Sequence, residues 1–121
     1  MIGRTSYFTK ERSYSNMYEH LVSFKFKEKL SSTKEQELLS ALYSLQTEVP
    51  GIIELTAGCN ATTETDNIQG YTLGLRVTFK DQQSLLDYGP HPAHQHFVGL
   101  LDGLLDNVIV VDYPILNKPI N

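Results

Sequence analysis

The sequence has one cysteine and no tryptophan, and it contains no long apolar run. Cys59 has no second cysteine with which to form a disulfide in the chain, so a reducing, intracellular setting is the simplest interpretation. No run approaches the roughly 18 apolar residues of a transmembrane helix. Residues 1–16 also lack the apolar segment of a signal peptide. The sequence therefore predicts a cytoplasmic protein that is not bound to a membrane.

Several functional classes are also disfavoured by what is missing. The net charge is −4 and no basic stripe is present, so nucleic acid is not a predicted partner. The chain has no glycine-rich phosphate loop, no G-x-S-x-G elbow and no C-x-x-C pair, and no cofactor is predicted. Its 121 residues, of which 40% are hydrophobic, suit a single domain with an ordinary core.

The chain divides into one domain with two short flanking segments. Residues 1–16 are polar and show no steady periodicity, which predicts a flexible tail or leader; an arm packed on a partner is the alternative. Met17 directly precedes the first regular strand. We predict that residues 17–116 form the domain and residues 117–121 a C-terminal tail.

Alternating apolar residues predict four strands. The first spans residues 18–26, with His20, Val22 and Phe24 on one face. The second spans residues 52–60, and its apolar face carries Ile53, Leu55, Ala57 and Cys59, which predicts inert packing for the cysteine. The third spans residues 71–79 and the fourth residues 108–113, where Pro114 and Pro119 discourage further pairing.

Two helical segments separate these strands. Ser32 and Glu35 have the spacing of a capping box, and leucines at helical spacing predict a helix over residues 33–47. Asp81 suits the cap of a short helix that reaches Tyr88. Gly89 and Pro90 break that helix, and Pro92 begins another that is predicted to continue to about residue 105.

This βαββαβ order predicts a ferredoxin-like α+β fold, with a four-stranded antiparallel sheet and both helical segments on one face. The opposite sheet face would carry Leu21, Ile52 and Thr56 and remain half apolar. Such a patch is large for a monomer, and a second copy of the chain would bury it. We therefore predict a homodimer that pairs through its sheet faces, a dimeric α/β barrel.

Three of the four histidines lie between residues 87 and 96, next to a tyrosine. Histidine titrates near neutral pH, and a tyrosine hydroxyl can donate a hydrogen bond to a developing oxyanion. Tyr88 and His94 would lie on opposite faces of a continuous helix. The break at Gly89 and Pro90 removes that restriction, which makes the two residues candidate catalytic groups.

Other interpretations compete for the remaining histidines. His20 faces the helices and is either a pocket residue or a hydrogen-bonded core histidine. His91 has the sequence context of a helix cap or turn, and His96 that of a solvated surface residue. His91 and His94 could share a metal, but no Cys, Glu or Asp at suitable spacing completes a ligand set, so no metal site is predicted.

Five stretches together resemble the stress-responsive dimeric α/β-barrel (Dabb) family over about residues 17–113. They are HLVSFKFKE, VPGI, GYTLGLRVTF, DYGPHPAH and VIVVDY. The resemblance implies the same ferredoxin-like dimer. It also implies a pocket between helices and sheet, with the family's cyclase chemistry matched by Tyr88, His94 and His20. The predicted ligand-binding residues are His20, Val22, Phe24, Leu42, Leu75 and His91.

The chain departs from the family's cyclase at two places. Leu73 stands where the cyclase has a histidine, and Gly89 and Pro90 replace two bulky apolar residues. Two functions remain open. The first is binding of a small hydrophobic carbonyl compound, with cofactor-free cyclase-, lyase- or isomerase-like proton transfer. The second is a non-catalytic, stress-associated structural role in a dimer or higher assembly. An oxygenase-like role would rest on the fold alone.

Overall fold

The computed structural model describes residues 13–117, in which four strands and three helices follow the predicted βαββαβ order. A short 3₁₀ turn, Thr65–Asn67, lies in the loop between the second and third strands. The elements are β1 (Tyr14–Phe26), α1 (Ser32–Glu48), β2 (Ile52–Cys59), β3 (Tyr71–Phe79), α2 (Gln82–Tyr88), α3 (Pro92–Leu100) and β4 (Leu105–Leu116). The ferredoxin-like α+β fold is confirmed.

The strands form one antiparallel sheet in the order β2-β3-β1-β4. Val22 on β1 pairs with Leu75 on β3 and with Val110 on β4, so alternate residues of the strands share one face. The helices cover that face. The core between them contains Val22, Phe24, Leu38, Leu42, Leu45, Leu75, Val77, Phe79 and Phe97.

Two predicted helix boundaries need correction. Ser31, rather than Ser32, caps α1, because its extended backbone lets its hydroxyl accept a hydrogen bond from the Lys34 amide at 3.1 Å. The helix that starts at Pro92 ends at Leu100 and does not reach residue 105. Gly103, with φ of +76°, turns the chain back toward the sheet, and β4 begins two residues later.

Strands β1 and β4, which pair with each other, are longer than predicted: β1 begins earlier, and β4 both begins earlier and ends later. β4 continues through Pro114, which lies opposite Tyr18, and Leu116 lies opposite Tyr14. Because β4 is an edge strand with a neighbour on one side only, proline is tolerated there. Tyr14, Ser15 and Asn16 therefore belong to β1 and not to the predicted tail. Residues 1–12 and 118–121, the rest of the predicted tails, lie outside the described residues.

The register of β2 also differs from simple alternation. Its pairing with β3 shifts between Ile52 and Glu54, and Ile53 is consequently 49% exposed instead of packed on the apolar face. Leu55 is buried as predicted. Cys59, predicted to pack, is exposed at the end of the strand.

The sheet face away from the helices, called the open face below, combines a polar network with an apolar strip. Arg76 contacts Glu19, Glu54 and Thr78 across three strands. On β4, Ile109, Val111 and Tyr113 are 43–50% exposed on this face. The alternate residues Val108, Val110 and Asp112 point to the helix side. Among residues 13–117, no helix is long and apolar enough to span a membrane.

Candidate functional site

A cavity of about 480 Å³ lies between helices α2 and α3 and the helix side of β1 and β4. This volume is within the range of small-molecule sites in proteins. Helix residues form one wall and the edge strand β4 forms the other. Its lining consists of His20, Val22, Phe24, Leu75, Leu85, Leu86, Tyr88, Gly89, His94, Phe97, Val98, Leu101, Leu105, Val108, Val110 and Asp112.

The elbow between α2 and α3 brings two of the candidate catalytic residues together. Tyr88 is the last residue of α2, and the chain turns through Gly89 and Pro90 before α3 starts. The His91 side chain caps α3 by accepting a hydrogen bond from the Ala93 amide at 3.0 Å. After this turn the Tyr88 and His94 ring centroids are 4.3 Å apart, with the ring planes tilted by 51°.

The hydrogen bond of His94 defines the state of its ring. Its Nδ1 lies 2.9 Å from the carbonyl oxygen of Gly89. A carbonyl can only accept, so Nδ1 carries the proton, and the neutral ring has a free lone pair on Nε2. Burial lowers the pKa of His94; the nearby His20 and His91 also lower it, and the Gly89 bond opposes them. His94 is thus a neutral base near pH 7.

Tyr88 provides a protonated hydroxyl beside this base. Its side chain is 3% exposed, and its ring packs against Phe79 at 5.1 Å and His20 at 5.5 Å. Burial raises the pKa of Tyr88 to about 12. Within residues 13–117, every fully buried side-chain oxygen or nitrogen has a hydrogen-bond partner. The Tyr88 hydroxyl makes no hydrogen bond within this range, so it is not one of the fully buried atoms. Because Tyr88 lines the cavity, we infer that its hydroxyl faces the cavity.

His20 is paired with a residue that the sequence analysis did not identify. Its Nδ1 lies 2.6 Å from Asp112 Oδ1, and the two residues are direct partners in the β1–β4 register. The sequence contains one hint of this pair: Asp112 is a single charged residue that follows the apolar run VIVV, on a strand that could pair with the first. Without the register, that signal does not select His20 as the partner.

Of the predicted ligand-binding residues, His20, Val22, Phe24 and Leu75 line the cavity. Leu42 and His91 lie outside its lining. Leu42 is fully buried between α1 and the sheet, where it forms core. His91 caps α3 and faces a separate crevice beside Asp81 and Asp87.

The described residues offer little for other chemistries. No group of three or more His, Cys, Asp or Glu side chains within residues 13–117 could hold a metal ion. Desolvation raises the pKa of the Cys59 thiol, and the nearby Glu35 carboxylate raises it further, which disfavours the nucleophilic thiolate. His96 is exposed. The site is therefore an apolar cavity with His20, Tyr88, His94 and Asp112 as its polar groups.

A ferredoxin-like sheet with helices over one face and a cavity at the edge strand places the protein among the small ferredoxin-like α+β domains. The family model for the stress responsive A/B barrel domain (Dabb) matches residues 18–115, and the chain belongs to this family.

Three known proteins illustrate the relationship. The stress-response A/B barrel domain-containing protein HS1 of Arabidopsis thaliana is 30% identical over 95 residues, which cover 78% of this chain and 86% of that protein. Olivetolic acid cyclase of Cannabis sativa is 26% identical over 95 residues, covering 78% and 93%. A dimeric ferredoxin-like protein of unknown function from Jannaschia sp. CCS1 shares 31% identity and a TM-score of 0.68, covering 80% and 97%.

Proposed function

We propose that the cavity binds a small hydrophobic carbonyl compound, and that His94 and Tyr88 transfer a proton on it without a cofactor. The observation that carries the proposal is the neutral His94, whose Nδ1–H is fixed on the Gly89 carbonyl while its ring lies 4.3 Å from that of the protonated Tyr88. A positioned base and a hydrogen-bond donor are the two groups that enolisation of a carbonyl compound requires.

In this mechanism, His94 Nε2 removes a proton from the carbon next to the carbonyl. The C–H electron pair moves into the new C=C bond, and negative charge collects on the carbonyl oxygen, to which the Tyr88 hydroxyl donates a hydrogen bond. The His94 imidazolium keeps its Nδ1–H bond to Gly89. The enolate then takes the proton back, or its carbon attacks a second carbonyl, as in a cyclisation. The similarity to a plant cyclase supports this reaction class.

The test is hydrogen–deuterium exchange at the carbon next to the carbonyl, followed by proton NMR in D₂O on a panel of aliphatic and aryl alkyl ketones. Wild type should exchange at least one member well above the buffer rate. His94→Gln should lose most of this rate, since loss of a general base typically costs about 10²- to 10⁴-fold. His96→Gln is the matched control, because His96 is exposed two residues away.

Exchange at the buffer rate by wild type would contradict the proposal. If His94→Gln then also melted well below wild type, the non-catalytic role would be favoured, with the histidine holding the elbow through its bond to Gly89.

We also infer that the chain forms a homodimer through its open face. Ile109, Val111 and Tyr113 expose apolar surface there, and the Jannaschia relative is described as dimeric. A second copy would bury this strip and is the commonest symmetric solution. The location of Arg76, Glu19 and Glu54 on the same face gives the interface a charged part as well.

Val111→Asp tests this interface, with Val110→Asp as its control. The two valines are 50% and 52% exposed on the same strand but face opposite sides of the sheet. A buried, unpaired carboxylate is costly, so Val111→Asp should convert a dimer to a monomer in light scattering coupled to size exclusion. A monomeric wild type, or dissociation by Val110→Asp alone, would contradict the open-face dimer.

A further inference from the structure

We propose that the cavity is selective for uncharged carbonyl compounds with an apolar chain and discriminates against carboxylates, with Asp112 as the residue that imposes this choice. The inference rests on the proposed function and specifies the class of ligand. It comes from the charges that line the cavity rather than from the catalytic pair.

Among the cavity-lining residues, which all fall within the described part of the chain, Asp112 is the one with a carboxylate, and none is a lysine or an arginine. Four polar side chains are present, from His20, Tyr88, His94 and Asp112. The other lining residues are apolar side chains and Gly89. The lining therefore suits an apolar chain, and no permanent positive charge is present to receive an anion.

The state of the polar groups leads to the same conclusion. Burial keeps the pKa of His94 below its usual value and that of Tyr88 near 12, so both are uncharged at pH 7.5. Asp112 contributes a carboxylate that lies 2.6 Å from His20 Nδ1, and no lysine or arginine lies in the lining. The lining therefore offers no permanent cation to an anion, and the chain's net charge of −4 also disfavours anions.

Asp112 also lies at the reacting end of the cavity. Its Oδ1 lies 2.6 Å from His20 Nδ1, and the centroid of the His20 ring lies 5.5 Å from that of Tyr88. Tyr88 in turn contacts His94. A ligand whose carbonyl oxygen reaches the Tyr88 hydroxyl brings any adjacent carboxylate toward the Asp112 carboxylate and away from any cation. That carboxylate would lose hydration without gaining a cation, which is unfavourable.

The experiment uses two ligands of nearly the same shape, 2-oxooctanamide and 2-oxooctanoate, which differ in charge beside the same ketone. Their dissociation constants are measured by titration calorimetry at pH 7.5 with the full chain. We expect the amide to bind at least about tenfold more tightly, which corresponds to about 1.4 kcal/mol. In Asp112→Asn, which keeps an oxygen to accept from His20, the ratio should fall toward one.

Leu86→Lys provides a second variant that does not disturb the Asp112–His20 pair. Leu86 lines the cavity and is 61% exposed, so a lysine is tolerated there and adds the missing cation. It should improve binding of 2-oxooctanoate relative to that of the amide. Equal or tighter binding of the acid by wild type would overturn the charge selectivity and leave the proposed function standing. An unchanged ratio in Asp112→Asn would overturn the role of Asp112, and binding of neither ligand by wild type would overturn the proposed function as well.

Discussion

Removal of a single oxygen atom, in Tyr88→Phe, should separate the proposed catalytic role of this residue from its structural role. Tyr88→Phe keeps the ring, which packs against Phe79 and His20, and deletes the hydroxyl that faces the cavity. Within residues 13–117 this hydroxyl has no hydrogen-bond partner, so the substitution breaks no bond of the folded protein in that region. If its role is to stabilise an enolate oxygen, the loss should appear in the rate and not in the stability.

The two magnitudes can be estimated separately. Loss of one donor directed at a developing oxyanion typically lowers the rate about 10²- to 10³-fold, or about 2.7–4 kcal/mol in activation free energy. The free energy of unfolding should change by no more than about 0.5 kcal/mol, as for substitutions that remove no packing or buried partner. For a domain near 100 residues this corresponds to a shift in melting temperature below about 4 °C.

Deuterium exchange of a bound ketone and thermal melts on the same preparations measure both effects. The matched ring substitution is Phe79→Leu, which lies beside Tyr88 but carries no polar group; it should lower the melting temperature and affect exchange much less. An exchange rate in Tyr88→Phe equal to that of wild type would refute the catalytic assignment. A melting temperature many degrees lower would refute our conclusion that the hydroxyl has no structural partner.

Two further predictions concern the pH range of the reaction and access to the cavity. Because burial lowers the pKa of His94 below its ordinary 6.5, the base is still mostly deprotonated at pH 6.5. The exchange rate should therefore be level from pH 6.5 up to the ionisation of Tyr88 near pH 12, and it should fall only when the pH is lowered below 6.5. A rate measured by NMR that already falls above pH 6.5 would contradict this assignment. Gly89 lines the cavity with an ordinary helical φ of −53°, and a Cβ there would meet no atom within 4 Å. Gly89→Leu should therefore weaken ketone binding about tenfold, by analogy with pocket-narrowing changes of about 1–3 kcal/mol, without loss of stability, whereas Gly99→Leu, equally open but outside the cavity, should leave the dissociation constant unchanged.

Helices and strands could be predicted from the sequence where one face of the element is buried, because the apolar residues then recur with the period of that element. β3 alternates strictly between core and open face, and both of its boundaries were predicted correctly. The cap of α2 was also predicted correctly: Asp81 precedes Gln82 and accepts a hydrogen bond from the Ser84 amide at 2.8 Å. Elsewhere the element boundaries depend on contacts between residues that are far apart in the sequence. β4 extends through Pro114 because it is an edge strand, and the order of strands is a tertiary property.

The candidate site divides in the same way. The elbow at Gly89 is a local feature, and from it the sequence indicates that Tyr88 and His94 can approach each other. The partnership of His20 and Asp112 spans 92 positions along the chain and depends on the register of β1 with β4. Leu42 lies in the core and outside the cavity lining, because helical spacing identifies a core-facing residue but not which part of the core it meets.

β4 has a consequence for how this protein can be modified. Its even-numbered residues 108, 110 and 112 line the cavity, and its odd-numbered residues 109, 111 and 113 form the apolar strip of the open face. Point substitutions should thus adjust the proposed ligand choice and the proposed self-association independently, from neighbouring codons. A single-residue insertion or deletion before Asp112 has a different effect, because it exchanges the two sets; a deletion places the aspartate where Val111 now lies, and an insertion places it where Tyr113 now lies. Length variation in this strand should therefore be far less tolerated than sequence variation, a difference that a library of insertions and substitutions across it would reveal directly.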